Sequence, residues 1–171
     1  MIGGDRFSGK FSIKYHTDWF RDSEGKQVPV KRPRIEVVFR KYSESFDPDK
    51  NPEFRTFALV DSGADICYIP RQIADVLKLE LKEETKKETV GAGSKFWTYR
   101  TKMYLEILYK NRRIGIDMVE VAVPEKDPEG IETERNILLG RRGLFDAYEI
   151  TFYEPAQVLN FRRIQKNNKL R

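Results

Sequence analysis

The residues whose type and spacing could do chemistry lie in Ala58-Leu59-Val60-Asp61-Ser62-Gly63-Ala64-Asp65. An apolar run delivers a carboxylate, a hydroxyl residue and a glycine to what reads as the end of a strand. A carboxylate held there can work on water as a general acid or base. From average residue usage, two apolar residues followed by Asp-[Ser/Thr]-Gly-Ala arise by accident in about one chain in a thousand of this length. Taken alone, Asp-Ser-Gly reads as a strand entering an Asx-type turn, which is the commoner origin of the triplet. Two downstream segments reverse that preference. Gly91-Ala92-Gly93-Ser94 separates Thr89-Val90 from Phe96-Trp97-Thr98-Tyr99, as a hairpin with a glycine-rich tip would. Further on, Ile137-Leu138-Leu139-Gly140-Arg141 is an apolar run that ends on glycine and arginine.

Other chemistries find little support. The chain has one cysteine, Cys67, and one histidine, His16, so an intrachain disulfide and a Cys/His zinc site are both excluded. No metal and no cofactor is expected. Cys67 reads as a small buried apolar residue. His16, between Tyr15 and Thr17, reads as a surface residue, and nothing near it supports a Ser-His-Asp or Cys-His mechanism.

The elements that must position these residues follow from the hydrophobic pattern. Phe11, Ile13 and Tyr15 alternate with polar neighbours, as do Ile35, Val37 and Phe39; each set predicts a strand. Arg21 to Gln27 is polar and turn-forming, and Lys41 to Glu53 reads as an exposed loop. Phe54 to Val60 is a third strand leading into Asp61. Pro70 opens a short predicted helix in which Ile73, Val76 and Leu77 share a face. Met103 to Tyr109 alternates again, Asn111-Arg112-Arg113 turns, and Ile114 to Val123 continues the sheet. Pro124 to Arg135 is a charged loop. A short helix at about Gly143 to Ala147 and a last strand, Glu149 to Tyr153, complete the pattern. Short strands separated by polar loops predict an all-β fold.

At 171 residues the chain suits one domain, assigned to residues 1–154, with residues 155–171 as a basic C-terminal tail. Hydrophobic residues make up 39% and charged residues 35%, which excludes a disordered polar chain. No apolar run approaches the roughly 18 residues that span a bilayer, and Met1 to Arg6 lacks the layout of a secretion signal. A cytoplasmic, non-membrane protein is the expectation. The net charge of +5 is matched by the tail, where Arg162, Arg163, Lys166, Lys169 and Arg171 occur without an acid. A basic tail can bind nucleic acid through phosphates, but such an end is more often frayed and solvated.

In order, the Asp-Ser-Gly-Ala-Asp turn, the Gly-Ala-Gly tip and the Ile-Leu-Leu-Gly-Arg segment resemble the retroviral-type (retropepsin-like) aspartic proteases, and in particular their single-domain cellular members. The resemblance spans roughly residues 54–153; the first fifty residues, read as an extension of the sheet, and the tail have no counterpart in it. It implies a closed barrel forming one half of an acid protease, with a flap hairpin and one or two short helices. It further implies Asp61 as the catalytic carboxylate, Ser62 and Gly63 as support for a catalytic dyad, and Gly63, Ala64, Asp65, Gly91, Ala92 and Gly93 as substrate-binding residues. Asp65 would bind substrate main chain or pair with Arg141. One motif supplies one carboxylate, so a dyad requires a homodimer with a two-fold axis between the two Asp61 side chains. The expected activity is endopeptidase cleavage of a polypeptide substrate. The alternatives are a catalytically silent, dimeric peptide-binding module of the same fold and, more weakly, a nucleic-acid-binding protein acting through the tail.

Overall fold

The structure, a computed structural model, describes residues 9–42, 52–91, 94–127 and 136–164. Before Asp61 lie β1 (Lys10–Lys14), β2 (His16–Arg21), β3 (Gln27–Arg32), β4 (Arg34–Lys41) and β5 (Glu53–Val60). After it come β6 (Cys67–Tyr68), helix α1 (Arg71–Val76), β7 (Lys86–Gly91), β8 (Ser94–Tyr109), β9 (Arg112–Pro124), β10 (Leu138–Leu139), β11 (Tyr148–Tyr153) and β12 (Val158–Arg163). Among the described residues, six strands run in the order β4-β5-β10-β6-β9-β8, and β8 pairs back with β4. The fold is thus the expected all-β closed barrel with few short helices. β7 attaches to β8 outside the ring.

The barrel interior follows from strand alternation. Ile35, Val37 and Phe39 of β4, Ala58 and Val60 of β5, and Met103, Leu105 and Ile107 of β8 are buried on one face. On β9 the buried set changes parity, from Ile114 and Ile116 to Val119, Val121 and Val123. The register shows why: Leu105 faces Ile116, yet Tyr104 faces Met118. One extra residue forms a bulge that sends the following side chains to the opposite face. Met118 is consequently exposed, whereas pure alternation from Ile116 would have turned it inward.

The helix beyond Pro70 forms, but with a different buried face. Ile73, Ala74 and Leu77 are buried, and Val76 is 49% exposed. The helix is only six residues long and stops at Lys78, which has a left-handed φ of 52°, so packing against the barrel sets its rotation. Its first turn is capped from far away in the sequence. Asp127 accepts the Arg71 N–H (2.7 Å) and the Gln72 N–H (3.1 Å), fastening the segment after β9 to the helix.

The N-terminal residues and the end of the chain build a second, three-stranded sheet in the order β1-β12-β11. Residues after 154, read from sequence as a basic tail, are therefore folded as far as Arg163. Leu159 and Phe161 are buried, and Arg162 donates to Glu149 across the sheet (Nε to Oε2, 2.8 Å). The run of charges obscured a strand alternation. Lys166, Lys169 and Arg171 lie outside the described residues, as does most of the loop read at Lys41 to Glu53. The ring of Phe161 stacks on Phe11 at 4.8 Å, with the buried Tyr148 ring edge-on to both. β2 and β3 form a separate two-stranded ribbon, of which only the connecting turn was legible in the sequence. Among the described residues, no helix is long and apolar enough to cross a membrane.

Phe161 sits where the terminal sheet meets the core. Phe161→Ala is expected to cost about 3–5 kcal/mol, read as a lower urea midpoint. An unchanged midpoint would mean that this sheet does not fold cooperatively with the barrel.

Candidate active site

β5 delivers Asp61 to the turn. Phe57 and Leu59 alternate with buried Ala58 and Val60, so Asp61 continues the outward-facing row of β5. The turn is held by its own groups. Gly63 N–H donates to Asp61 Oδ1 at 2.9 Å, and Ala64 N–H donates to the Asp61 carbonyl at 3.3 Å. This is the Asx-type turn that the triplet suggests by itself. Here it fixes one carboxylate oxygen and leaves Oδ2 without a hydrogen-bond partner among the described residues. Asp61 is half-buried, and Ser62 and Gly63 are exposed.

The turn is clamped by the Ile137–Arg142 segment. β10 lies between β5 and β6, parallel to β5 (Leu139 beside Val60) and antiparallel to β6 (Leu138 beside Tyr68). Asp61 N–H donates to the Leu139 carbonyl at 3.1 Å. Arg141 N–H then donates to the Ala64 carbonyl (2.8 Å), and Arg142 N–H to the Asp65 carbonyl (2.9 Å). Between these bonds, Gly140 passes so close to Ile66 that a Cβ would stand 2.3 Å from the Ile66 carbonyl oxygen. Glycine is required at that position because the obstacle is backbone. From Arg141 the chain makes an irregular helical turn through Phe145, kinked at Gly143 with φ 111°. The short helix expected from about Gly143 to Ala147 thus begins earlier and is interrupted.

Asp65 and Arg141 form an ion pair, with an Arg141 guanidinium N–H donating to Asp65 Oδ1. That hydrogen bond and the guanidinium charge hold the Asp65 carboxyl below its usual pKa of 3.8. Both side chains are largely exposed, so solvent screens the pair and its energetic weight is small.

β7 and the start of β8 form the glycine hairpin, with Gly91 opposite Ser94. Residues 94–96 pair with β7 alone; the pairing of β8 with β9 begins at Thr98, and Glu125 N–H donates to the Trp97 carbonyl at 3.0 Å just beyond it. The hairpin therefore extends beyond the barrel wall. Its tip, Ala92 and Gly93, lies outside the described residues. The hairpin reaches back toward the Asp61 turn through Phe96, whose ring meets Tyr68 edge-on at 6.3 Å. Tyr68 follows that turn on β6, and burial, reinforced by the Asp127 charge, pushes its hydroxyl up to about 12. A Cβ on Gly91 would approach the Phe96 ring to 3.2 Å. Tyr99 is buried and donates to Glu83 (2.7 Å), whereas Trp97 is 51% exposed.

The structure thus brings Asp61, Ser62, Gly63, Ala64, Asp65 and Arg141 into one turn and its clamp, and places Gly91 on the adjoining hairpin. Sequence reasoning missed Tyr68 and Phe96, which carry no motif, and Asp127, which acts over a long separation. Cys67 is fully buried, with its thiol pushed up to about 11 by burial. His16 is half-buried and stacks on Phe57 at 4.0 Å. Among the described residues, no group of three or more His, Cys, Asp or Glu side chains is placed to hold a metal ion.

No family model and no curated protein matches the chain. Among solved structures, the chain is similar to a retropepsin-like aspartic protease from Rickettsia conorii, at 14% identity and a TM-score of 0.49, over 90% of this chain and 89% of that one.

Two outcomes follow from the clamp. Gly140→Ala forces backbone apart and is expected to cost at least about 2 kcal/mol, measured by denaturant unfolding. Arg141→Gln should raise the Asp65 titration midpoint followed by carboxyl NMR. Because pairing lowers the folded pKa, the small stability it contributes is present above the ordinary carboxylate pKa. It is lost as pH falls through the depressed value, so acid stability should differ least between wild type and variant at the lowest pH.

Proposed function

We propose that this chain is an aspartic endopeptidase that works as a homodimer, with each chain supplying one Asp61. The observation that carries this reading is the Asp61 turn itself. One carboxylate oxygen is fixed by Gly63 N–H, the other has no hydrogen-bond partner among the described residues, and the loop is clamped by backbone bonds to Leu139, Arg141 and Arg142. A single carboxylate cannot be both acid and base to one peptide bond. A second Asp61 across a two-fold axis supplies the other role. Two close carboxylates resist ionising together and share one proton. The ionised member takes a proton from water as its oxygen attacks the peptide carbonyl. The protonated member hydrogen-bonds the carbonyl oxygen, and proton transfer to the amine then releases the two products.

The neighbouring residues have supporting roles in this reading. Ser62 braces the dyad across the axis, Gly63 leaves room for the substrate backbone, and Ala64 and Asp65 contact its main chain. Asp65 is also held by Arg141. The β7–β8 hairpin is the flap: Gly91, Ala92 and Gly93 let its tip close on an extended peptide, which adds as a strand between flap and turn. No cofactor takes part. The site of action is the cytoplasm, and neither nucleic acid nor membrane is part of the reaction.

The purified chain is expected to cleave an unfolded protein at mildly acidic pH with a bell-shaped pH profile. Asp61→Asn should lower the rate about a thousandfold or more while sedimentation still shows a dimer. Cleavage that survives this substitution would remove Asp61 from the chemistry. A dimer that binds peptide and never cleaves it would be the silent module instead.

A further inference from the structure

A surface cleft of about 530 Å³ opens where the N-terminal strands meet the barrel. It is lined from β1 to β3, from β4 and β5, and from the β8–β9 turn. Its charges do not balance. Arg34 is matched by Asp18 (Nε to Oδ2, 3.1 Å), and Glu36 by Arg55 (2.6 Å). Lys14, Lys31 and Lys110 also line the cleft, and none of them has a carboxylate within 4.0 Å among the described residues. Lys31 donates to the Thr17 hydroxyl, and Lys110 lies over the Tyr109 ring at 5.2 Å. The three ammonium groups accompany an aromatic surface, the stacked His16 and Phe57 rings.

The cleft is also placed in line with Asp61. Phe57 and Asp61 belong to the same outward row of β5, four residues apart, or about 13 Å at the rise of a strand. An extended peptide advances at nearly the same rate per residue. We propose that the cleft is an extended-substrate site that takes an acidic side chain, Asp or Glu, of a peptide whose scissile bond lies about four residues away at Asp61. This rests on the endopeptidase reading for the position of the scissile bond, but the charge recognition stands on the cleft alone. A peptide is favoured over nucleic acid because the lysines sit on three separate elements around apolar and aromatic groups, not along a phosphate-spaced stripe.

The test uses the full-length Asp61→Asn chain and a fluorescein-labelled peptide carrying two glutamates, compared with its glutamine counterpart. At low salt the acidic peptide is expected to bind at least about tenfold more tightly, from a few-fold contribution per lysine, and the preference should shrink as salt rises. Adding Lys14→Gln, Lys31→Gln and Lys110→Gln together should reduce acidic-peptide affinity to that of the neutral peptide, leaving neutral-peptide binding and the melting temperature unchanged. Equal binding of the two peptides, or a preference that survives the lysine substitutions, would overturn the proposal. So would lysine-dependent binding of a single-stranded oligonucleotide in place of the acidic peptide. A parallel cleavage assay with the wild-type chain separates the two readings. Charge-selective binding without cleavage removes the endopeptidase and keeps the cleft, whereas cleavage blind to peptide charge removes the cleft alone.

Discussion

The structure depends on a backbone contact that only glycine permits. β5 and β6 are joined by the Asp61–Ile66 turn, yet they are not neighbours, because β10 is inserted between them. The turn must therefore arch over the end of β10, and the chain leaving β10 must pass beneath it. Gly140 is the residue at that crossing, pressed against the Ile66 backbone. Any side chain there would push turn and strand apart, opening the bonds from Arg141 and Arg142 to the Ala64 and Asp65 carbonyls. The placement of Asp61 is in this sense decided by a residue far along the chain that does no chemistry.

The clamp divides the work between neutral and charged groups. Backbone bonds set the path of the turn, and Gly63 N–H orients the Asp61 carboxylate. The Asp65–Arg141 ion pair lies on the outside, where water screens it. It steers two side chains but contributes little to holding the fold together. That contribution comes from the barrel interior and from the aromatic cluster of Phe11, Tyr148 and Phe161, which ties both ends of the described chain to the core.

The N-terminal strands are structural members of this fold. β4 closes the barrel by pairing with both β5 and β8, and β1 flanks β12. The β2–β3 ribbon then forms one side of a cleft lined by Lys14, Lys31 and Lys110 that reaches β5 at Phe57. Phe57 and Asp61 lie to the same side of the chain because a strand turns every second side chain the same way.

Local pattern in the sequence determined a good deal: the strands β1, β4, β5 and β8, the glycine hairpin, the helix after Pro70, and the Asp61 turn. These are properties of neighbouring residues or of motifs short enough to be read in place. Other features were settled only when distant segments met. The β9 bulge shifts parity without any marker residue, and the exposure of Val76 follows from how a one-and-a-half-turn helix packs. Arg162 and Arg163 read as part of a basic tail because their charge masks the alternation of Leu159 and Phe161, whose burial depends on β1 and β11. Asp127 on the helix start and Phe96 against Tyr68 likewise have no signature in sequence. Their partners are chosen by tertiary packing, which a linear pattern does not encode. The same limit applies to the turn itself, since one chain contains a single copy of its carboxylate motif and the two-fold arrangement we propose would be a property of an assembly.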